Sequence, residues 1–597
     1  MERKNIESIY KWDLTSIYKD DEAWYDEYKN VLSEVEKLKA YTNLMESPER
    51  LLEFISLDEK VGRIIEKLYT YAHMNNDADT KESKYQKMYG EAKDIYSKYL
   101  ESVSYVNPTL LKYDYNKILE YYEILPELKQ YDKMFKEIFR YKPHTLSEGE
   151  EKILSSLSNV FSNAEDNYTY LTDADMKFGT ILVDGEEVTL TESNYGVYLA
   201  SKDRNVRKQA FEKIFTTYSE FINSISSMMN GNVETITSLA KIKKYNSSLE
   251  ASLFNEEIDP LVYDTLIDTV SKHLDVLFKY YEAKRKMLNL DELHLYDTYV
   301  NVVKENDKKY SFDEAKELVI NATKILGEEY TNNLVKAFDE RWIDIYPNDG
   351  KRGGAYSGGT YDTKPFVLLN YEGRYNDVST LAHELGHSMH SYLTRTNNPY
   401  ITGDYKIFVA EVASTVNELL LAKYMLKNSK DNKERLSILS ELMGLYKATI
   451  YRQVMFAEFE KIIHSQKENG EVLTGEGMSE LYYNLNKKYF GDNVVVDDLI
   501  KYEWMRIPHF YYNFYVYKYA IGLSCASKIV TDIYNEVPGA RERYINFLSS
   551  GSRKSPIELL KDTGCDLTNS SVVESAIDMF SSLLDEFIKT YEEVEGE

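Results

Sequence analysis

Two histidines four positions apart mark the most chemically informative segment of this 597-residue sequence. His383, Glu384 and His387 form the pattern H-E-x-x-H. On an α-helix, residues four apart lie on one face, so both imidazoles can bind one metal ion. Glu384 lies about 100° further round the helix and can reach a water on that metal. Two nitrogen ligands and a position open to water predict a catalytic zinc centre with Glu384 as general base.

A third protein ligand is needed, and the residues offer two possibilities. His390 shares the helix face but lies about 10 Å along the axis from His383, which makes convergence on one ion difficult. Glu411 follows His387 by 24 residues within an apolar helical run, where a carboxylate needs a partner. We predict Glu411 as the ligand, with a solvated helix face as its alternative. Glu418 and His390 are then expected to support the ligands from outside.

The H-E-x-x-H pattern lies on a predicted helix with Asn376 or Asp377 as its N-cap. An apolar stripe gives this helix its buried face. The stripe consists of Leu381, Leu385, Met389 and Leu393. Just before the helix, six glycines lie between residues 342 and 375 around the apolar run 365–369, which indicates short strands and turns. A strand beside the metal could pair with an extended peptide.

Most of the remaining sequence has the periodicity of amphipathic helices. The exception is residues 181–190, where two short β-type runs flank Asp184-Gly185 and predict a hairpin with a two-residue turn. Near the carboxyl end, residues 508–519 contain five tyrosines. Pro508 suits the first position of a helix. Because each buried hydroxyl needs a partner, this density favours a binding role, although an aromatic core is the alternative.

Charge and cysteine content exclude several classes of protein. Lys and Arg number 72 against 99 Asp and Glu, a net charge of -27, which disfavours binding to nucleic acid or anionic membranes. The apolar runs are too short to span a bilayer. Two cysteines cannot form a disulfide framework and indicate a reducing compartment. With no apparent signal peptide, we expect a cytoplasmic protein without nucleic-acid or membrane partners.

Five segments together resemble one family. They are H-E-L-G-H-S-M-H at 383–390, G-K-R-G-G-A-Y at 350–356, V-A-E-V-A-S at 409–414, W-D-L at 12–14 and R-I-P-H-F-Y at 506–511. This set resembles the thimet-oligopeptidase family of zinc metallopeptidases, and within it the bacterial oligoendopeptidase F branch. The resemblance covers nearly the whole chain.

The resemblance implies a mainly α, two-lobed fold with a deep central channel and a small antiparallel β element next to the active-site helix. It implies three segments: an N-terminal helical region at 1–115, an oligopeptidase F-type N-terminal domain with the hairpin at 116–195, and a catalytic domain at 196–597. One Zn²⁺ per chain is expected. The implied site consists of the metal ligands His383, His387 and Glu411, the general base Glu384, and the substrate-binding and oxyanion-stabilising pair His509 and Tyr517, with Tyr512 and Tyr515 as alternatives to Tyr517.

The sequence therefore predicts a zinc endopeptidase that cleaves internal bonds of short, unstructured oligopeptides. Two other functions stay open: a zinc hydrolase of non-peptide amides, and a non-catalytic helical binding protein. The presence of Glu384 argues against the non-catalytic binding protein, because a site that only holds a metal does not need a general base. Cleavage specificity and oligomeric state are not determined by these patterns.

Overall fold

The computed structural model describes residues 2–303 and 308–595 and divides the chain into two compact units. The first unit comprises Met1–Thr145, Lys308–Asn428 and Asp532–Gly564, and the second comprises Leu146–Asp307, Ser429–Thr531 and Cys565–Glu597. Each unit thus draws on three separate stretches of the chain. The predicted segment boundaries after residues 115 and 195 describe a different division and stay a prediction.

The first two-thirds of the α-helices, in chain order, are α1 (Asp21–Leu38), α2 (Pro48–Ala78), α3 (Ser83–Val103), α4 (Val106–Leu111), α5 (Tyr115–Ile124), α6 (Asp132–Arg140), α7 (Glu148–Ser156), α8 (Ser158–Phe161), α9 (Asn163–Thr169), α10 (Glu192–Leu199), α11 (Arg204–Glu220), α12 (Ile222–Ile242), α13 (Ser248–Phe254), α14 (Pro260–Lys272), α15 (Leu274–Met287), α16 (Phe312–Thr323) and α17 (Glu328–Asp339). The others are α18 (Tyr375–Asn397), α19 (Ile407–Asn428), α20 (Asn432–Tyr446), α21 (Gln453–Glu468), α22 (Gly475–Phe490), α23 (Tyr517–Tyr534), α24 (Ala540–Leu548), α25 (Pro556–Asp562) and α26 (Ser571–Glu595). The prediction of a mainly helical protein is confirmed.

The predicted hairpin is present in the second unit. Strands β1 (Thr180–Val183) and β2 (Glu186–Thr189) pair in antiparallel orientation. The two turn residues, Asp184 and Gly185, have φ of 53° and 85°. A two-residue turn of this type needs positive φ at both positions, which Asp tolerates and Gly adopts freely. Local sequence was sufficient to locate this element.

A three-stranded sheet lies just before α18 in the first unit. It consists of β3 (Ile343–Asp344), β4 (Tyr356–Gly358) and β5 (Phe366–Leu368), in the order β3-β5-β4. The pair β4–β5 is antiparallel, as predicted, but β3 runs parallel to β5, so the sheet is mixed. The residues of the central strand β5 are fully buried, which explains their continuous apolar sequence.

Helix α18 packs along α19, and these two helices carry the residues that the sequence predicts as metal ligands. The predicted apolar stripe of α18 is buried, with Leu381, Leu385 and Met389 at 0% exposure. The predicted N-cap is wrong, because the helix begins at Tyr375. Asp377 instead lies inside the first turn, where its carboxylate accepts hydrogen bonds from the backbone N–H groups of Arg374 and Glu372, at 2.8 and 3.1 Å. A carboxylate at this position satisfies N–H groups at the helix start.

Among the described residues, none of the helices combines the length and apolar character needed to cross a bilayer.

Candidate active site

Helix α18 presents His383 and His387 on one face, and α19 brings Glu411 to the same point. The Glu411 Oε2 atom lies 3.5 Å from His383 Nε2 and 3.6 Å from His387 Nε2. One ligand atom from each of these residues lies within 4.8 Å of the other two. The structure therefore brings together the three residues that the sequence predicts as metal ligands.

Gly386, inside the H-E-x-x-H pattern, allows α19 to come this close. A Cβ atom at this position would lie 2.6 Å from the carbonyl oxygen of Ala413 and 2.6 Å from the Cα of Ser414. The contact is reinforced by Asn417, whose side-chain N–H donates to the carbonyl of Ala382 at 3.2 Å. The hydroxyl of Tyr330 in turn donates to Asn417 at 2.9 Å. Backbone contact at Gly386 thus determines how near the Glu411 carboxylate comes to the histidines.

Glu411 is more exposed than the sequence suggests. Its side chain is 48% exposed, whereas its neighbours Val409 and Val412 are buried. The apolar run predicts a buried carboxylate, and this detail is wrong. Ser414 Oγ donates to Glu411 Oε2 at 3.0 Å and restricts the carboxylate. The space between this carboxylate and the two imidazoles is therefore accessible to solvent.

Glu418 lies two turns beyond Glu411 on α19 and orients His383. Its Oε1 atom lies 2.6 Å from His383 Nδ1, which leaves Nε2 directed toward Glu411. Burial alone lowers the pKa of His383, but the hydrogen bond and charge of Glu418 raise it to about 9. A carboxylate behind a metal-binding histidine selects the tautomer and increases the ring's basicity. Glu418 therefore contacts His383 directly, and its supporting role for a metal ligand stays a prediction.

His387 and His390 lie in environments that keep their rings neutral. Burial, followed by the charge of His383, lowers the pKa of His387 to about 4. Burial lowers the pKa of His390 to about 3. His390 is 1% exposed and stacks on Tyr405, with ring centroids 3.6 Å apart. Among the described residues, the group that could hold a metal ion does not include His390, which packs against Tyr405 instead.

Glu384 lies beside the ligands in a largely buried position. It is 7% exposed, and burial raises the pKa of its carboxyl to about 7, against the charge of His383. The backbone of Ser357, on strand β4, also interacts with this carboxyl and lowers its pKa. The Ser357 hydroxyl lies 2.8 Å from that of Ser388 on α18. Strand β4 is therefore held directly against the helix that carries Glu384. A carboxyl with a pKa near neutrality suits proton transfer in either direction.

The predicted residues His509 and Tyr517 belong to the second unit. Pro508–Tyr511 forms only a single 3₁₀ turn, and the regular helix α23 begins at Tyr517. We call residues 508–519 the tyrosine segment. The His509 ring lies 5.6 Å from Tyr512, 6.5 Å from Tyr515 and 6.3 Å from Tyr519. His509 is thus surrounded by aromatic hydroxyl-bearing side chains.

Tyr517 faces the interior of the second unit. It is 0% exposed and packs against Tyr263, with ring centroids 5.1 Å apart, and burial raises its pKa well above the usual value. Tyr512, by contrast, is 50% exposed. The assignment of Tyr517 as the oxyanion donor stays a prediction, but its burial counts against it. Tyr512 and Tyr515, which surround His509, are the better placed of the predicted alternatives.

A buried carboxyl, Glu460 on α21, holds the tyrosine segment in an unusual conformation. Asn513 and Phe514 both adopt left-handed backbone angles, with φ of 48° and 57°. Such angles are uncommon for Asn and costly for Phe, so surrounding contacts must maintain them. The Phe514 backbone N–H donates to Glu460 Oε1 at 2.5 Å, and Asn232 donates to the side chain of Asn513 at 3.2 Å. Glu460 is 0% exposed, and burial raises its pKa to about 8.

Sequence reasoning missed Gly386, Asn417, Ser357 and Glu460. Gly386 carried a local signal, since a glycine inside a predicted helix is unfavourable and indicates a close approach. Glu460 carried a weaker signal, as an acidic residue among the apolar residues of a predicted helix. The hydrogen bonds of Asn417 and Ser357 depend on elements that are distant in sequence, so no local pattern indicates them.

Comparison with known proteins provides independent information. Residues 197–579 match the family described as Peptidase family M3, and residues 110–178 match Oligopeptidase F. Oligopeptidase PepF of Bacillus subtilis is 42% identical over 98% of this chain and 88% of its own length. The chromosomal oligoendopeptidase F of Lactococcus lactis subsp. cremoris is 38% identical over 99% of this chain and 98% of its own length.

Two solved structures extend the similarity to the fold. The oligoendopeptidase-F from Enterococcus faecium has a TM-score of 0.73 and 34% identity, covering 96% of this chain and 99% of its own. A putative peptidase from Chlamydophila abortus has a TM-score of 0.94 and 35% identity, covering 99% of both chains. Sequence and fold agree along nearly the whole length, and the chain belongs to peptidase family M3.

Proposed function

We propose that this protein is a zinc-dependent oligoendopeptidase that hydrolyses internal bonds of short, unstructured peptides. The observation that carries the proposal is the spacing of Glu411 Oε2 from the two imidazole Nε2 atoms, 3.5 and 3.6 Å. In a tetrahedral zinc site with bonds of about 2.0–2.1 Å, ligand atoms lie about 3.4 Å apart. Two nitrogens and one carboxylate oxygen are also a donor set typical of catalytic zinc. The residues present therefore fit one Zn²⁺ per chain.

His383, His387 and Glu411 would hold the ion, and Glu418 would keep His383 in the tautomer that binds it. Zn²⁺, when bound, supplies Lewis-acid polarisation of the scissile carbonyl and acidifies water. Glu384 accepts the proton from the attacking water and later transfers it to the leaving amine. Its raised pKa, about 7, suits both steps.

Strand β4 supports the choice of a peptide substrate. It is an edge strand: one side pairs with β5, and its other side pairs with no strand among the described residues. An extended peptide can join such an edge through backbone hydrogen bonds, which do not depend on its side chains or termini. Because the Ser357 backbone contacts Glu384, a peptide added to β4 would run beside the general base. This arrangement favours cleavage within a chain rather than removal of terminal residues.

His509 and one hydroxyl of the tyrosine segment complete the proposal as hydrogen-bond donors to the substrate and to the oxyanion. Their clustering supports this role, because donors aimed at a developing negative charge are usually the largest single contribution to catalysis. Burial lowers the pKa of His509, so its ring is neutral near pH 7 and can donate one N–H. Both cysteines are buried thiols, which supports the proposed cytoplasmic location.

The proposal is tested by measuring metal content and turnover on the same preparation. We expect about one zinc per chain, and cleavage of an internally quenched peptide that stops on chelation and returns with added Zn²⁺. Mass spectrometry of products from a peptide ladder should show internal cuts, and a folded protein should be cleaved only after unfolding. Sequential loss of terminal residues would contradict the endopeptidase assignment. Turnover of small amides without cleavage of any peptide would favour the alternative hydrolase.

A further inference from the structure

A small cavity in the second unit, remote in sequence from the metal ligands, contains an unusual arrangement of positive charge. It has a volume of about 30 Å³, and its walls include Tyr281, Tyr299, Lys447 and Arg452. A volume of roughly 10–15 Å³ suffices for one water molecule, so this space accommodates about two waters or one monatomic ion. The cavity is therefore too small for a metabolite and of the right size for a simple ion.

Two lysines beside the cavity share one carbonyl oxygen. The ammonium groups of Lys284 and Lys447 both donate to the carbonyl of Thr298, at 2.8 and 3.2 Å. Lys284 is 6% exposed. Among the residues that the structure describes, neither lysine forms an ion pair with a carboxylate. Each ammonium group has three N–H donors, so both retain donors that this carbonyl does not satisfy.

The carboxylates of Asp297 and Glu503, which lie near these lysines, already form ion pairs with arginines. Asp297 accepts hydrogen bonds from Arg204 and Arg207, at 2.8 and 2.6 Å. Glu503 accepts from Arg452 at 2.7 Å and from Tyr482 at 2.7 Å. Burial lowers the pKa of Lys284 well below its usual value, so the positive charge at the cavity is that of Lys447 and Arg452, and the residues that line the cavity include no carboxylate. Burying cations without compensating charge is costly, and a bound anion would remove that cost.

A local feature of the backbone brings two of these cations, Lys447 and Arg452, to the same cavity. Residues Lys447–Arg452 form a π-helical turn between α20 and α21. In an α-helix, residues five apart lie about 140° from each other around the axis, whereas the wider π-turn brings them nearer to one side. Both end residues of this turn accordingly line the cavity. Single π-turns are rare and often occur at functional sites.

We infer that this cavity is a binding site for a small monovalent anion of halide size, held by Lys447 and Arg452 within walls formed by Tyr281 and Tyr299. Lys447 supplies N–H donors beyond the one that the Thr298 carbonyl accepts, its ammonium group lies 4.9 Å from the centre of the Tyr299 ring, and the buried Tyr281 ring limits the access of bulk water. Burial and the charge of Arg452 lower the pKa of Lys447 to about 8, which still leaves this lysine mostly protonated at neutral pH, and a bound anion would raise its pKa. The site is independent of the proposed peptidase chemistry.

The first experiment uses crystals of the full-length wild-type protein soaked in sodium bromide. We expect an anomalous peak within hydrogen-bonding distance of Lys447 Nζ. No peak there, or peaks only at exposed lysines, would overturn the proposal and indicate a cavity that holds water. This measurement needs no variant and so stands even if substitutions impair folding.

The second experiment measures unfolding temperature in sodium chloride against sodium gluconate at constant ionic strength. A ligand that binds only the folded state raises this temperature in a saturable way. We expect a saturable chloride effect in the wild type that is lost in Lys447→Met, which preserves length without charge. Lys241→Met, an exposed lysine on α12, is the matched control and should retain the effect. An equal chloride effect in both variants would mean general salt action and would overturn the site.

Discussion

The metal site of the first unit and the tyrosine segment of the second are built in opposite ways. His383, His387 and Glu411 project from two long helices that touch at Gly386. The tyrosine segment consists of a 3₁₀ turn and two left-handed residues held by Glu460. The helical repeat fixes the directions in which His383, His387 and Glu411 point. In the tyrosine segment, by contrast, hydrogen bonds between residues distant in sequence fix the backbone. This contrast teaches that the spacing of residues along a helix is enough to predict a candidate metal cluster, whereas it is not enough to choose among the tyrosines proposed as oxyanion donors.

The largest expected effect comes from Glu384→Gln. The amide keeps the shape of the side chain but cannot accept a proton, so turnover should fall by at least about 10³-fold. Metal content should stay that of the wild type, because Glu384 lies outside the proposed ligand set. Kinetics with a quenched peptide and metal analysis on the same sample check this. Retention of a tenth of the activity would contradict the general-base role.

Glu411→Ala and His390→Ala together test which residue completes the ligand set. Removal of a ligand should cost more metal affinity than removal of a supporting residue, which typically costs about 10–100-fold. We therefore expect Glu411→Ala to lose its metal on dialysis and His390→Ala to retain most of it. Equal metal loss from the two variants would contradict Glu411 as the third metal ligand.

Gly386→Ala tests the helix contact on which the metal site depends. The added methyl would meet the backbone of α19 at 2.6 Å, and overpacking of this kind costs about 1–3 kcal/mol in the free energy of unfolding. Weaker metal binding should accompany this loss, because Glu411 moves with α19. Gly90→Ala on α3, where no atom lies within 4 Å of the new Cβ, is the control and should be neutral or stabilising by about 0.5–1 kcal/mol. Chemical denaturation of both variants makes the comparison, and an unaffected Gly386→Ala would be the contrary result.

The smallest expected effect is on the tyrosine segment. Glu460→Ala removes the acceptor for the Phe514 N–H, so the left-handed backbone should relax and kcat should fall by about tenfold, in line with a misplaced donor. Glu460→Gln keeps an acceptor oxygen and should restore most of the activity. Metal content should be normal in both variants. If kcat falls as much in Glu460→Gln as in Glu460→Ala, the hydrogen bond to Phe514 is not what maintains activity, and the charge of the carboxyl is required instead.

The sequence by itself determined the helical character, the hairpin at 181–190 and the pairing of His383 with His387. All three depend on short-range geometry, either a helical repeat or a two-residue turn, which neighbouring residues specify. The same repeat placed Glu418 on the face of Glu411. These features are local, and the structure agrees with them.

Only the tertiary structure decided the exposure of Glu411, the burial of Tyr517, the parallel pairing of β3 with β5 and the role of Glu460. The apolar neighbours of Glu411 predict burial, but exposure depends on which face α19 turns toward α18. Tyr517 and Tyr512 have the same side chain, but two residues with left-handed backbone angles, Asn513 and Phe514, lie between them, and their environments differ. The burial of a side chain and the pairing of strands depend on contacts between residues that are distant in sequence. The spacing of residues along one helix or strand does not determine those contacts.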